Sequence, residues 1–64
     1  MIFYRVSLLI DGRMTADRDF ASRQAAEAYA SWHAGWRIER GIFEPLPNGQ
    51  GAQFKALTSL EHTP

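Results

Sequence analysis

The sequence predicts a small α+β domain of order β-β-α-β-β, a four-stranded antiparallel sheet with one helix packed on one face. Three observations carry this expectation. Apolar residues alternate over residues 2–10, and again over residues 36–43. Between them lies an alanine-rich stretch with helical spacing. A segment with two prolines and two glycines, EPLPNGQG, then separates the third strand from the last. Alternation marks a half-buried strand, helical spacing an amphipathic helix, and clustered Pro and Gly a loop.

The first strand follows from Ile2, Tyr4, Val6, Leu8 and Ile10 on one face and Phe3, Arg5, Ser7 and Leu9 on the other. Asp11-Gly12 is a turn signal, and a second strand is expected over residues 14–20. Two hairpin registers compete. A two-residue loop at Asp11-Gly12 sets Arg5 opposite Arg18 and Val6 opposite Asp17. A three-residue loop, Asp11 to Arg13, sets Tyr4 opposite Phe20, Leu8 opposite Ala16 and Arg5 opposite Asp19. The second gives one nearly apolar face and an ion pair on the other, so the hydrophobic pattern favours it. In this register Asp17 and Asp19 point the same way, away from the helix.

Ser22 is the expected N-cap of a helix running to about Ala34, with Gly35 as its C′ residue. Ala25, Ala28, Tyr29 and Trp32 form the expected apolar stripe, with Tyr29 and Trp32 supplying most of the buried area. In the third strand Trp36, Ile38 and Ile42 share one face and Arg37, Glu39 and Phe43 the other. A short fourth strand is expected over residues 53–58, leaving 59–64 as a frayed tail. The expected core comprises Ile2, Tyr4, Val6, Leu8, Ile10, Phe20, Ala25, Tyr29, Trp32, Trp36, Ile38 and Phe54.

Length and composition bound the function. The 64 residues leave room for one domain, residues 1–64, whose small size makes its core marginal. There is no cysteine, so neither a disulfide nor a thiolate ligand is available. Seven basic residues, six of them arginine, balance seven acidic ones. That balance gives no electrostatic arm for a polyanion. No apolar run is long enough to span a bilayer, and the N-terminus lacks the pattern of a signal peptide. A cytoplasmic location in a bacterial host, with no cofactor and no membrane partner, is the expectation.

No catalytic constellation emerges. His33 and His62 have no cysteine or carboxylate cluster beside them, so no metal site is expected. The serines lack His–Asp partners, and no glycine spacing matches a phosphate loop. Asp17 and Asp19 could hold a proton or a cation, but an exposed pair with Asp19 meeting Arg5 is the simpler reading. Two binding readings remain. Arginines and aromatics on a sheet can bind nucleic acid, here with Arg37, Arg40 and Lys55 near Trp36 and Phe43. The neutral charge weighs against this. Apolar residues on the face away from the helix, Phe3, Leu9, Phe43 and Leu57, point instead to a protein-binding module, unless the loop over residues 44–51 or the C-terminal tail folds over them. Its expected contact residues are Arg5, Asp17, Asp19, Arg37, Glu39 and Phe43. The free sheet edges could also pair two copies into a homodimer.

The organisation resembles that of small phage or mobile-element proteins, including some anti-CRISPR proteins. The features that carry the resemblance are a cysteine-free chain, one hairpin, one alanine-rich helix (SRQAAEAYASWH) and a closing strand pair. It implies a stoichiometric inhibitor that occupies a protein surface, such as a subunit of a CRISPR effector complex. No family-specific residue transfers. The lack of net acidity departs from the nucleic-acid mimics of that group and points to blocking a protein surface.

Overall fold

A computed structural model describes all 64 residues. The elements are β1 (Phe3–Ile10), β2 (Arg13–Phe20), α1 (Arg23–Ala30), β3 (Trp36–Pro45) and β4 (Ala52–His62). The four strands form one antiparallel sheet in the order β2-β1-β3-β4, as the alternation predicts. Helix α1 lies over β1, β3 and β2 on one face. It is not long and apolar enough to cross a membrane, and no other helix is present.

The first hairpin corrects the expected loop. Ile10 pairs with Arg13, so the loop is the two residues Asp11 and Gly12. Both have positive φ, 50° and 82°, which a tight hairpin turn of the I′ kind requires. The far end of the hairpin nevertheless has the register expected for the longer loop. Tyr4 pairs with Phe20, Arg5 with Asp19 and Val6 with Arg18. A register shift between Val6 and Ser7 reconciles the two, because Val6 pairs with Arg18 and Ser7 with Ala16. Asp17 is the extra residue of this β-bulge. The turn chemistry sets the register at one end and the apolar pattern sets it at the other.

The helix begins as expected. The Ser22 side chain accepts a hydrogen bond from the Ala25 N–H at 3.0 Å. It ends at Ala30, a turn earlier than the composition suggests. Beyond Ala30 the chain tightens, with the His33 N–H bonded to the Ala30 carbonyl at 3.0 Å. Gly35 is already at the sheet, where its carbonyl accepts from the Leu9 N–H at 3.0 Å. A side chain there would put its Cβ 2.8 Å from Leu9 Cβ and Cδ2. Gly35 therefore serves close approach of β1, not a left-handed helix cap.

The core is small: Val6, Leu8, Ala26, Ala30 and Ile38, flanked by the half-buried Tyr4, Phe20, Tyr29 and Trp36. The buried alanines are Ala26 and Ala30, while Ala25 and Ala28 face solvent. Trp32, expected in the core, is 87% exposed, because the helix has ended before it. Ile10 is also exposed, at the end of β1 beside the turn. Phe54 belongs to the opposite face of the sheet, described below.

The last strand is longer than expected. It continues to His62, which pairs with Trp36, so residues 59–62 are part of the sheet and not a frayed tail. A second register shift, between Arg40 and Gly41, leaves Leu57 as the extra residue of β4. The His62 ring stacks on Trp36 at 5.8 Å between centroids, which gives the end of the strand a packing partner. The 46–51 loop closes on itself, with the Leu46 N–H bonded to the Gly51 carbonyl at 3.0 Å.

Candidate binding face

Strand alternation places Phe3, Arg5, Ser7 and Leu9 of β1 on the face away from α1. Cross-strand pairing adds Asp19 from β2 and Arg37, Glu39 and Gly41 from β3. Beyond Gly41, Phe43 pairs with Phe54 of β4. Five of the six expected contact residues, namely Arg5, Asp19, Arg37, Glu39 and Phe43, thus share this face.

Arg5 is its centre. Its guanidinium donates two hydrogen bonds to the Asp19 carboxylate, Nε to Oδ1 at 2.9 Å and a terminal nitrogen to Oδ2 at 3.2 Å. This forked geometry is the strong form of an arginine–carboxylate pair. The Arg5 Cζ also lies 4.4 Å from the Phe54 ring centroid and 5.7 Å from that of Phe43, within cation–π range. On its other side Arg5 pairs in the ladder with Glu39. The hydrogen bond to Asp19 raises the Arg5 pKa, desolvation opposes this, and the charges of Asp19 and Glu39 add to the rise. Arg5 is therefore held as a fixed cation on an aromatic bed.

The bed is a run of three phenylalanines. Phe3 and Phe43 meet edge-on at 5.3 Å, and Phe43 and Phe54 at 5.4 Å. Gly41 makes room for this arrangement. A Cβ at that position would lie 2.7 Å from Phe54 Cζ and 2.2 Å from the Lys55 carbonyl oxygen. The Phe54 ring covers the gap that the missing side chain leaves, as aromatics do beside strand glycines. Phe43 remains 38% exposed, so the bed is open to solvent at that ring.

Asp17 is the residue the structure removes from the expected site. As the extra residue of the β2 bulge it reaches the helix side, where its carboxylate accepts a hydrogen bond from the Tyr29 hydroxyl. Asp17 and Asp19 therefore do not act as a carboxylate pair. The bulge was not legible from alternation, which assumes an unbroken period of two.

The basic cluster expected for nucleic acid does not assemble either. Arg37 bonds Glu61 at 2.7 Å on the open face. Lys55 pairs with Glu44 at 3.5 Å. Arg40 lies on the helix side, in a groove of about 190 Å³ between α1 and β4 that Tyr4, Arg23, Ile38 and Leu60 also line. The pattern missed Phe54 and Glu61 as open-face residues, because their faces depend on the β4 bulge at Leu57. No group of three or more His, Cys, Asp or Glu side chains comes together as a metal site would need.

Comparison with known proteins found no family model, no curated protein and no solved structure that matches this chain.

Proposed function

We propose that this chain is a non-enzymatic protein-binding module that docks through its open sheet face. Its sharper role in this proposal is that of a stoichiometric inhibitor of the anti-CRISPR kind, blocking a surface of a larger effector complex in the bacterial cytoplasm. One observation carries the docking reading: Arg5 is clamped by Asp19 above the Phe3–Phe43–Phe54 bed, with Phe43 left partly open. Arginine and aromatic side chains dominate interface hot spots. An arginine already fixed by a carboxylate and two rings loses little further freedom when a partner arrives. The Arg37–Glu61 pair and Glu39 form a polar rim beside the bed, the arrangement of a protein interface. The inhibitor role rests on the resemblance in organisation to small phage proteins.

The charge pattern disfavours nucleic acid as the ligand. Arg5 and Arg37, the arginines on this face, already face carboxylates, and phosphate contacts would have to displace them.

The test compares the tagged parent with Phe43→Glu and Gln24→Ala in a lysate that contains CRISPR effector complexes. An effector subunit should be retained by the parent and by Gln24→Ala and lost with Phe43→Glu, while thermal melts show each variant folded. Retention that ignores Phe43→Glu, or no retained subunit, would overturn the reading. A salt titration against single-stranded and duplex nucleic acid runs beside it. Tight binding that weakens steeply with salt would establish the nucleic-acid alternative instead.

A further inference from the structure

We propose that the outer edge of β4 pairs with the same edge of a second copy, joining two sheets into one eight-stranded antiparallel sheet about a twofold axis near Leu60. The first support is the size of the core. Val6 is the one large side chain that is fully buried, and the apolar core has five residues. The chain has no cysteine and no clustered metal ligands to reinforce it. Domains of this length without such staples commonly gain stability by self-association. The surface area agrees. A globular monomer of 7.3 kDa exposes about 4,200 Å², and this chain exposes 4598 Å².

The two edges of the sheet differ, and the difference selects β4. Edge strands avoid pairing with other chains by carrying charge and bulges. Both edge strands carry a bulge, but β2 also carries Arg13, Asp17, Arg18 and Asp19 among eight residues, and its bulge residue Asp17 is tied to α1 through Tyr29. β4 is the longest strand, at 11 residues, and its Lys and Glu are each engaged with a residue of its neighbour in the sheet. Lys55 pairs with Glu44 and Glu61 with Arg37, both on β3. What β4 leaves outward includes Leu57 and Leu60, exposed by 47% and 50%.

The bulge at Leu57 divides β4 and leaves the straight segment from Thr58 to His62, an ordinary length for strand pairing. Antiparallel pairing of this segment with its own copy, centred on Leu60, sets Leu60 opposite Leu60, Ser59 opposite Glu61 and Thr58 opposite His62. No like charges meet. The Leu60 side chains of the two copies cover each other on the helix side of the sheet, beside the groove lined by Tyr4 and Ile38.

The oligomeric state of the full chain tests this. The parent should sediment at twice 7.3 kDa, concentration-dependently. Leu60→Lys should sediment as a monomer, and Ala16→Lys, on the other edge, should leave the dimer intact. Leu60→Cys provides a readout that does not depend on tolerating a new charge. Residues opposite each other in an antiparallel pair have Cα atoms about 5 Å apart, within disulfide reach. Because the chain has no other cysteine, oxidised Leu60→Cys should run as a covalent dimer and Ala16→Cys should not. A parent that stays at 7.3 kDa up to millimolar concentration overturns the proposal. So does a dimer that survives Leu60→Lys or one that Ala16→Lys dissociates. These outcomes are independent of the open-face reading, which concerns the opposite side of the sheet and another partner.

Discussion

The Tyr29 hydroxyl donates a hydrogen bond to the Asp17 carboxylate, and this bond ties α1 to the edge strand β2. The two residues meet because the bulge turns Asp17 toward the helix. Arg18, its neighbour, lies with its guanidinium 5.1 Å from the centroid of the same tyrosine ring. One irregularity in an edge strand thus replaces a carboxylate pair on the open face with an anchor for the helix. The bulge also twists the edge away from pairing.

Replacing Asp17 should be felt in the titration of Tyr29. The hydrogen bond to Asp17 raises the Tyr29 pKa above its usual value, with desolvation and the Asp17 charge adding and Arg18 opposing. A phenol whose pKa is higher in the folded state stabilises the fold at pH below its unfolded value. That contribution is lost as pH rises through the folded value. Asp17→Ala should therefore lower the Tyr29 pKa, followed by phenolate absorbance. It should also make the melting temperature near neutral pH lower than that of the parent. A Tyr29 titration that does not move would show that the bond is not made in solution.

Gly41→Ala should be the most damaging small substitution in the sheet. The new Cβ would meet the Lys55 backbone carbonyl at 2.2 Å, and backbone of a paired strand cannot swing aside as a side-chain tip can. A loss of about 3 kcal/mol, at the upper end for overpacking, is expected from urea midpoints. Loss of the Phe54–Phe43 contact should accompany it, visible as altered aromatic ring-proton shifts.

The two tryptophans should behave oppositely. Trp32 is 87% exposed, and Trp32→Ala should change stability by no more than about 0.5 kcal/mol. Trp36 packs against the core and stacks on His62, and Trp36→Ala should cost about 3 kcal/mol. In single-tryptophan variants, iodide should quench Trp32 strongly and Trp36 weakly. Equally weak quenching would place Trp32 in the core.

Phe43→Ala carries a stability cost besides any effect on binding. The ring makes edge contacts with both Phe3 and Phe54, each worth about 1 kcal/mol beyond the area it buries. A loss of at least about 2 kcal/mol is expected from these contacts alone, with the buried area of the ring adding to it. Binding comparisons with this variant must therefore be made well below its melting temperature, which a thermal scan locates. A melt unchanged from the parent would mean that the aromatic bed is not packed.

Strand alternation and turn chemistry alone determined the order β-β-α-β-β, the antiparallel sheet, the Ser22 cap and the open face with Arg5, Asp19, Arg37, Glu39 and Phe43. These are local properties, and the side chains that specify them are close in sequence to where they act. Three matters were decided only by the tertiary structure. Which alanines of α1 are buried could not be read, because Ala25, Ala26, Ala28 and Ala30 spread over a wide arc on both sides of Tyr29 and leave the centre of the apolar face unfixed. The contact with the sheet selected Ala26 and Ala30. The end of α1 was set by the need for Gly35 to approach Leu9, a constraint between residues far apart in the chain. The bulges at Asp17 and Leu57 arose where one strand meets its partner in different registers at its two ends: Ile10 pairs with Arg13 at the turn while Val6 pairs with Arg18, and Gly41 pairs with Ala56 while Arg40 pairs with Thr58. A single strand's pattern carries no record of its partner's register, and the registers of β1 and β3 fixed which side of the sheet Asp17, Phe54 and Glu61 reach.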